Sequence, residues 1–95
     1  MSPELLTIET FRPCLRQTFR LSERDAALDL VLAEVEDLGE GYSRRAFSLL
    51  FTAPEKPVMP QATYRLDNAS TGPIEMFLVP LGPQQGIFRY QAVFT

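Results

Sequence analysis

The alternation of apolar and polar residues between Phe47 and Pro83 constrains the fold of this chain more than any other feature. The stretch contains three short alternating runs, FSLLFT, ATYRLD and IEMFLV. A period of two directs one set of side chains to a core and the other to water, which is the pattern of a β-strand. The segments APEKPVMP and NASTGP separate the runs, and their prolines and small polar residues favour loops. We therefore predict three strands here, with the proline-rich segment crossing a barrel end or changing sheets.

Three further strands complete the predicted sheet. We place the six strands at residues 18–21, 27–38, 46–52, 62–67, 74–79 and 87–94. Their spacing, with turn signals between them, is typical of a small antiparallel barrel or sandwich. The predicted fold class is therefore all-β, with about six strands and a short N-terminal helix, in a single domain over residues 1–95.

The N-terminal segment predicts a short helix that plugs one end of the sheet. Residues 1–6 form a loose tail in this interpretation, and Thr7 caps a helix that runs through Phe11. Pro13 limits the helix, because proline lacks the backbone N–H that a helix interior needs. Phe11 and Leu15 are four residues apart, so we expect both to contact the core.

The segment from Ala27 to Leu38 fits two structures. A helix is possible because a capping-box signature precedes the segment and Leu28, Leu32 and Val35 share one helical face. A strand is possible because Leu28, Leu30 and Leu32 also alternate, after which the apolar set shifts phase to Val35. Such a shift is what a β-bulge produces. We favour the bulged strand, since the other segments all have strand patterns.

The composition excludes most enzyme classes and several kinds of partner. The chain has 95 residues, a net charge of −3, no His and one Cys. Without His, no Ser-His-Asp triad or Cys-His pair is available, and a zinc site lacks its usual ligands. The acidic balance gives no positive field to hold a phosphate backbone, and no run reaches the roughly 20 apolar residues of a membrane helix. We expect a non-enzymatic protein without a cofactor or metal, and with no nucleic-acid or membrane partner. It is cytoplasmic in this interpretation, or is exported inside an assembly.

The charged residues offer two weaker hypotheses. Glu34 and Glu36 would share one face of a strand as a carboxylate pair, although a solvated acidic face is the simpler interpretation. Four arginines recur between Arg12 and Arg24, and an acidic segment follows from Asp25 to Glu40. These two segments would complement each other head to tail in an oligomer, but ordinary intrachain surface pairs are the simpler interpretation. Cys14 is interpreted as a half-buried small residue and not as a reactive thiolate.

The most informative functional feature is a set of apolar residues predicted on the outside of the last two strands. If Ile74, Met76 and Leu78 point inward, their neighbours point outward. The interface candidates are Phe77, Val79, Ile87 and Val93. Exposed apolar patches mark contact sites, whereas a covering layer would make these residues part of a core. We predict a structural or interaction module that binds a protein partner or itself through this face and its sheet edges; the alternative is a small-molecule carrier with a cavity inside the barrel.

Several segments together resemble one family. The runs FSLLF, PQATYRL, FLVP and YQAVF are similar to the pattern of a family of small uncharacterised bacterial proteins, a domain of unknown function. The resemblance covers nearly the whole chain, but its motifs are strands and turns and therefore identify a fold. It also implies a gene-context association with accessory proteins of phage-tail-like particles. Arg16 and Ala62 stand where the family has Gly, so a positive φ at either position would strain this chain.

Overall fold

The period-two pattern folds into six antiparallel strands, which follow a short N-terminal helix. The computed structural model describes residues 6–23, 26–41 and 45–95. Helix α1 spans Ile8–Phe11 and continues into a 3-10 turn at Arg12–Cys14. The strands are β1 (Thr18–Glu23), β2 (Ala26–Glu40), β3 (Arg45–Pro54), β4 (Ala62–Asn68), β5 (Gly72–Gln84) and β6 (Ile87–Phe94). They close into a barrel in the order β1-β2-β3-β6-β5-β4, which confirms the predicted all-β fold.

Two long strands change partners halfway and so form the corners of the barrel. The first half of β2 pairs with β1 and its second half pairs with β3. Likewise, β5 pairs with β4 as far as Leu78 and with β6 from Val79 onward. The first sheet is therefore β5-β4-β1-β2, built from the first halves of β5 and β2. The second sheet is β2-β3-β6-β5, built from their second halves.

A bulge lies close to each corner. The register of β2 against β3 shifts between Leu32 and Glu34, and that of β5 against β6 shifts between Pro80 and Gly82. An extra residue bends and twists a strand, which is how one strand serves two sheets. The extra residue is Ala33 in β2 and Leu81 in β5.

The ambiguous segment is a strand, so the helical alternative for residues 27–38 is wrong. Leu28, Leu30 and Leu32 are buried in succession. After the bulge the phase shifts by one, and Val35 packs against the core. The strand runs two residues further than predicted, to Glu40.

Helix α1 and the 3-10 turn fill one end of the barrel. Phe11 is fully buried, and its ring lies 5.6 to 6.4 Å from the rings of Phe19, Phe47 and Phe94. The prediction that Leu15 also contacts the core is wrong, because 42% of that residue is exposed. The helix ends at Phe11 and tightens into the 3-10 turn, so the spacing of four no longer keeps the two side chains on one face.

The proline-rich loop between β3 and β4 fills the other end. It crosses the barrel from β3 to the non-adjacent strand β4, as predicted. Met59 is buried there, and its N–H donates to the Tyr90 hydroxyl at 3.0 Å. The Tyr64 hydroxyl donates to the Pro60 carbonyl at 2.6 Å. These bonds satisfy two buried phenols and fix the loop against the core.

Asn68 secures the turn between β4 and β5. Its side-chain N–H groups donate to Gln17 Oε1 at 3.1 Å and to the Thr18 carbonyl at 3.0 Å. Its oxygen accepts from the N–H groups of Ser70 and Thr71 at 2.8 and 3.1 Å. The buried amide thus ties the turn to the start of β1, as expected for an Asn in an NASTGP turn.

Other predicted boundaries shift slightly. The interval between the predicted strands at 18–21 and 27–38 is shorter, since β1 continues to Glu23 and β2 begins at Ala26. Part of that interval, and residues 42–44 of the turn between the predicted strands at 27–38 and 46–52, lie outside the described residues. The predicted tail at residues 1–6 also lies outside them, except for Leu6, which packs against the core.

Candidate interaction surface

The barrel exposes apolar side chains where β5 passes from one sheet to the other. The inward residues Ile74, Met76 and Leu78 are buried, as predicted. Phe77 lies on the opposite face of the first sheet, beside Thr63, and 48% of it is exposed. No part of the described chain therefore covers it as a second layer would.

Val79 and Val93 extend this surface onto the second sheet. Val79 pairs with Gln91 at the corner and is half-buried. Val93 lies two residues further along β6, beside Ser48, and 49% of it is exposed. We call Phe77, Val79, Leu81 and Val93 the apolar corner. Leu81, the bulged residue, is also exposed.

Ile87 lies apart from the other three predicted interface residues. It stands at the start of β6, beside Pro54 and Gln84, at the far end of the second sheet. Arg89 and Gln91 separate it from Val93 along the same face. The structure thus brings together Phe77, Val79 and Val93 and leaves Ile87 outside the group.

The outer face of the second sheet contains residues that sequence reasoning missed. Leu50 lies at its centre, between Glu34 on β2 and Gln91 on β6. Arg89 is partly buried beside Thr52, and its Nε has no hydrogen-bond partner among the described residues. Alternation alone places both side chains outward, but no local signal indicates that Arg89 Nε is left without a hydrogen-bond partner in the described part of the chain.

Glu34 and Glu36 do share the outer face of β2, as the alternation indicated, and both are exposed. Neither forms an ion pair within residues 6–23, 26–41 and 45–95. In the same part of the chain, no three His, Cys, Asp or Glu side chains are grouped so as to hold a metal ion.

An open groove of about 470 Å³ lies near the end of β2 and the start of β3. Its lining includes Leu38 of β2 and Ala46 of β3, together with Glu40, Gly41 and Thr95. The groove is a surface feature at the end of the second sheet. The interior of the barrel, by contrast, is occupied by fully buried side chains, among them Phe19, Leu49, Phe51, Leu66, Leu78 and Tyr90.

The thiol and two of the four arginines between Arg12 and Arg24 make local contacts within the chain. Cys14 is buried, and burial raises the pKa of its thiol. The thiol donates a hydrogen bond to the Thr10 carbonyl at 3.7 Å. A thiol of this kind stays protonated and is a poor nucleophile. Arg12 contacts Glu9, and Arg20 contacts Asp29, both at 2.8 Å. These are the intrachain pairs of the simpler interpretation; Arg24 lies outside the described residues.

The comparisons identify a family and no further relative. A search of the curated proteins found no match to the chain, and a search of the solved structures found none. Among the described residues, no helix is long and apolar enough to cross a membrane. A family model, the domain of unknown function DUF6916, matches residues 6–94, and its span includes every strand of the barrel. The chain therefore belongs to the DUF6916 family.

Proposed function

We propose that this domain is a non-enzymatic protein-interaction module that binds a protein surface through its apolar corner. The observation that carries this proposal is that Phe77 and Val93, which lie within regular strands, are each about half exposed. Isolated exposed apolar residues are common, but several grouped at one corner are typical of a contact site. An aromatic residue at such a site also provides a large contact area at a low cost in side-chain entropy.

The apolar corner supports this role better than the strand edges do. Closing the barrel removes most unpaired edges. The second half of β5 has no strand pairing on its β4 side among the described residues. That edge contains Pro80 and Pro83, which lack backbone N–H groups and therefore disfavour the addition of another strand.

The small-molecule carrier has less support. A carrier needs an internal cavity, whereas large buried rings and leucines fill this interior. A role in a phage-tail-like assembly and a cytoplasmic location remain predictions. An assembly role is compatible with a module that binds protein through an exposed face.

Photo-cross-linking in cells tests the proposal directly. Replacing Phe77 with p-benzoylphenylalanine keeps an aromatic side chain at the corner and adds a group that reacts within a few ångströms. The matched control carries the same residue at Ala27, which is exposed on the first sheet away from the corner. We expect a discrete adduct from position 77 and none from position 27.

A second measurement separates binding from folding. The variants Phe77→Asp and Val93→Asp should lose the partner and keep the wild-type far-ultraviolet circular dichroism, because both residues are exposed. If position 77 yields no adduct, or the same adducts as position 27, the corner is not a contact site. If either Asp variant unfolds, the side chain belongs to the core and the proposal is wrong.

A further inference from the structure

We propose that the partner is a second copy of this chain, which packs on the outer face of the second sheet in a two-fold symmetric pair. In this pair Arg89 of each copy binds Glu36 of the other. The inference rests on the proposed function, since it names the partner of the surface that contains Val79 and Val93.

The first reason for this inference is the environment of the Arg89 side chain. Its Nε is buried and has no hydrogen-bond partner in the described part of the chain. Arg12, Arg20, Arg45 and Arg65, in contrast, each contact a carboxylate. A buried donor without a partner costs free energy, so the partly exposed Arg89 side chain gains if it turns outward and its guanidinium forms charge-assisted bonds with a carboxylate from outside the chain.

The same face supplies the complementary charge. Glu34 and Glu36 lie on the outer face of β2, two strands away from Arg89. Neither has an ion-pair partner in the ranges that the structure describes. A face that contains both an unpaired cation and unpaired anions is complementary to itself, which a two-fold interface requires.

The strand register gives the two charges a symmetric placement. Glu36 pairs with Ser48, and Arg89 pairs with Thr52. Ser48 and Thr52 each lie two residues from Leu50, so Leu50 is midway between the carboxylate and the guanidinium. A two-fold axis that lies in the contact plane, passes over Leu50 and is perpendicular to the line between Glu36 and Arg89 exchanges these two positions. Each Glu36 then faces Arg89 of the other copy.

The same axis brings apolar side chains together. Val79 lies one strand beyond β6, level with Gln91, and Val93 lies two residues further along β6. With strands about 4.8 Å apart and same-face residues about 6.8 Å apart, the rotation places Val93 of one copy over Val79 of the other. These two apolar contacts lie together on one side of the central Leu50, where they exclude water from that side of the ion pairs.

The size of the face predicts a weak dimer. Four strands and three rows of residues give a platform on the order of 20 by 20 Å. That area is below the roughly 800 Å² per partner of a standard interface. We therefore expect a dissociation constant in the micromolar to millimolar range.

Sedimentation velocity, from about 10 μM to about 1 mM, tests this inference on the full chain. The variants Arg89→Glu and Glu36→Arg each place like charges opposite one another, so each should weaken dimerisation at least tenfold. Combining the two restores opposite charges, and the double variant should dimerise within about threefold of wild type. The control Arg20→Glu makes the same charge change on the other sheet and should leave dimerisation unchanged.

The possible results separate this inference from the proposed function. A wild-type chain that stays monomeric at about 1 mM overturns the inference; a cross-link from position 77 to a protein of another mass would still support the interaction module. A dimer that the single variants leave intact, or that the double variant fails to restore, places the contact elsewhere and also overturns it. A cross-linked adduct of twice the chain mass, together with the charge-swap rescue, supports both.

Discussion

Arg16 adopts a conformation that most residues avoid. Its φ is 70°, in the left-handed region. The position is held because the Arg16 N–H donates to the Leu32 carbonyl at 2.8 Å and the Gln17 N–H donates to the Cys14 carbonyl at 2.9 Å. The strain expected from the family resemblance therefore exists at Arg16. It does not exist at Ala62, which opens β4 opposite Leu78 in extended backbone.

We predict that Arg16→Gly stabilises the protein by up to about 1 kcal/mol. Glycine removes a left-handed penalty of roughly 1–2 kcal/mol, and the greater freedom of the unfolded chain offsets part of that gain. Urea unfolding monitored by circular dichroism measures the change. The control Arg20→Gly, in the extended strand β1, should instead destabilise by about 0.5–1 kcal/mol. Equal losses in the two variants would contradict the prediction.

One carboxylate stabilises the hairpin formed by β2 and β3 near the end where β2 leads into β3. Asp37 accepts two hydrogen bonds from Arg45 Nε, at 2.8 and 3.0 Å. It also accepts one from the Gly39 N–H at 2.8 Å, next to a second bulge in β2. The bond from Arg45, and then that from Gly39, lower the pKa of Asp37 below its ordinary value of 3.8.

The lowered pKa of Asp37 predicts a pH-dependent contribution to stability. A carboxylate with a depressed folded-state pKa contributes fully above its unfolded-state pKa, and this contribution is lost as the pH falls through the folded-state value. Asp37→Asn should therefore be less stable than wild type near neutral pH, and the difference should shrink as the pH falls below 3.8.

Chemical unfolding at a series of pH values measures this effect. Arg45→Gln is the matched variant, because it removes the other partner of the same hydrogen bonds. It should reproduce most of the pH dependence of Asp37→Asn, and the double variant should lose little more. A stability difference that stays constant down to acid pH would show that Asp37 acts by another route.

Two segments outside the strands close the two ends of the barrel and contribute to its stability. Strands that change sheets at the corners leave gaps between the sheet ends, and α1 and the loop after β3 fill them. At the α1 end, the Phe47 and Phe94 rings stack 4.7 Å apart, and Phe11 packs against both. A chain of 95 residues has a small core, so one such ring is a large part of its total stability.

We predict that Phe11→Ala destabilises the protein by about 3–5 kcal/mol, because it leaves a cavity among three rings. At roughly 4–8 °C per kcal/mol for a domain of this size, the Tm should fall by more than about 12 °C. Leu15→Ala is the control on the neighbouring turn; Leu15 is exposed, so this change should cost less than about 1 kcal/mol. Similar losses in both variants would mean that Phe11 is not the plug.

Local spacing explains why much of this fold could be predicted. The alternation of Ile74, Met76 and Leu78 needs no distant partner to define two faces, and the phase shift before Val35 indicated the bulge. Spacing failed at Leu15, because a 3-10 turn replaced the predicted helical geometry. It also grouped Ile87 with Val93, since alternation reports the face of a residue and not its distance from another residue along that face.

The sequence by itself determined which segments are strands and which side chains point inward, because the two-residue period of a pleated strand is a local property. The tertiary structure alone decided the strand order, the partner change of β5 after Leu78, and the position of Arg89 beside Thr52, where its Nε has no hydrogen-bond partner among the described residues. These features depend on pairings between residues far apart in the chain, and many pairings are compatible with the same alternation. The observed pairing closes the barrel, and in the closed barrel the inward faces of all six strands share a single core.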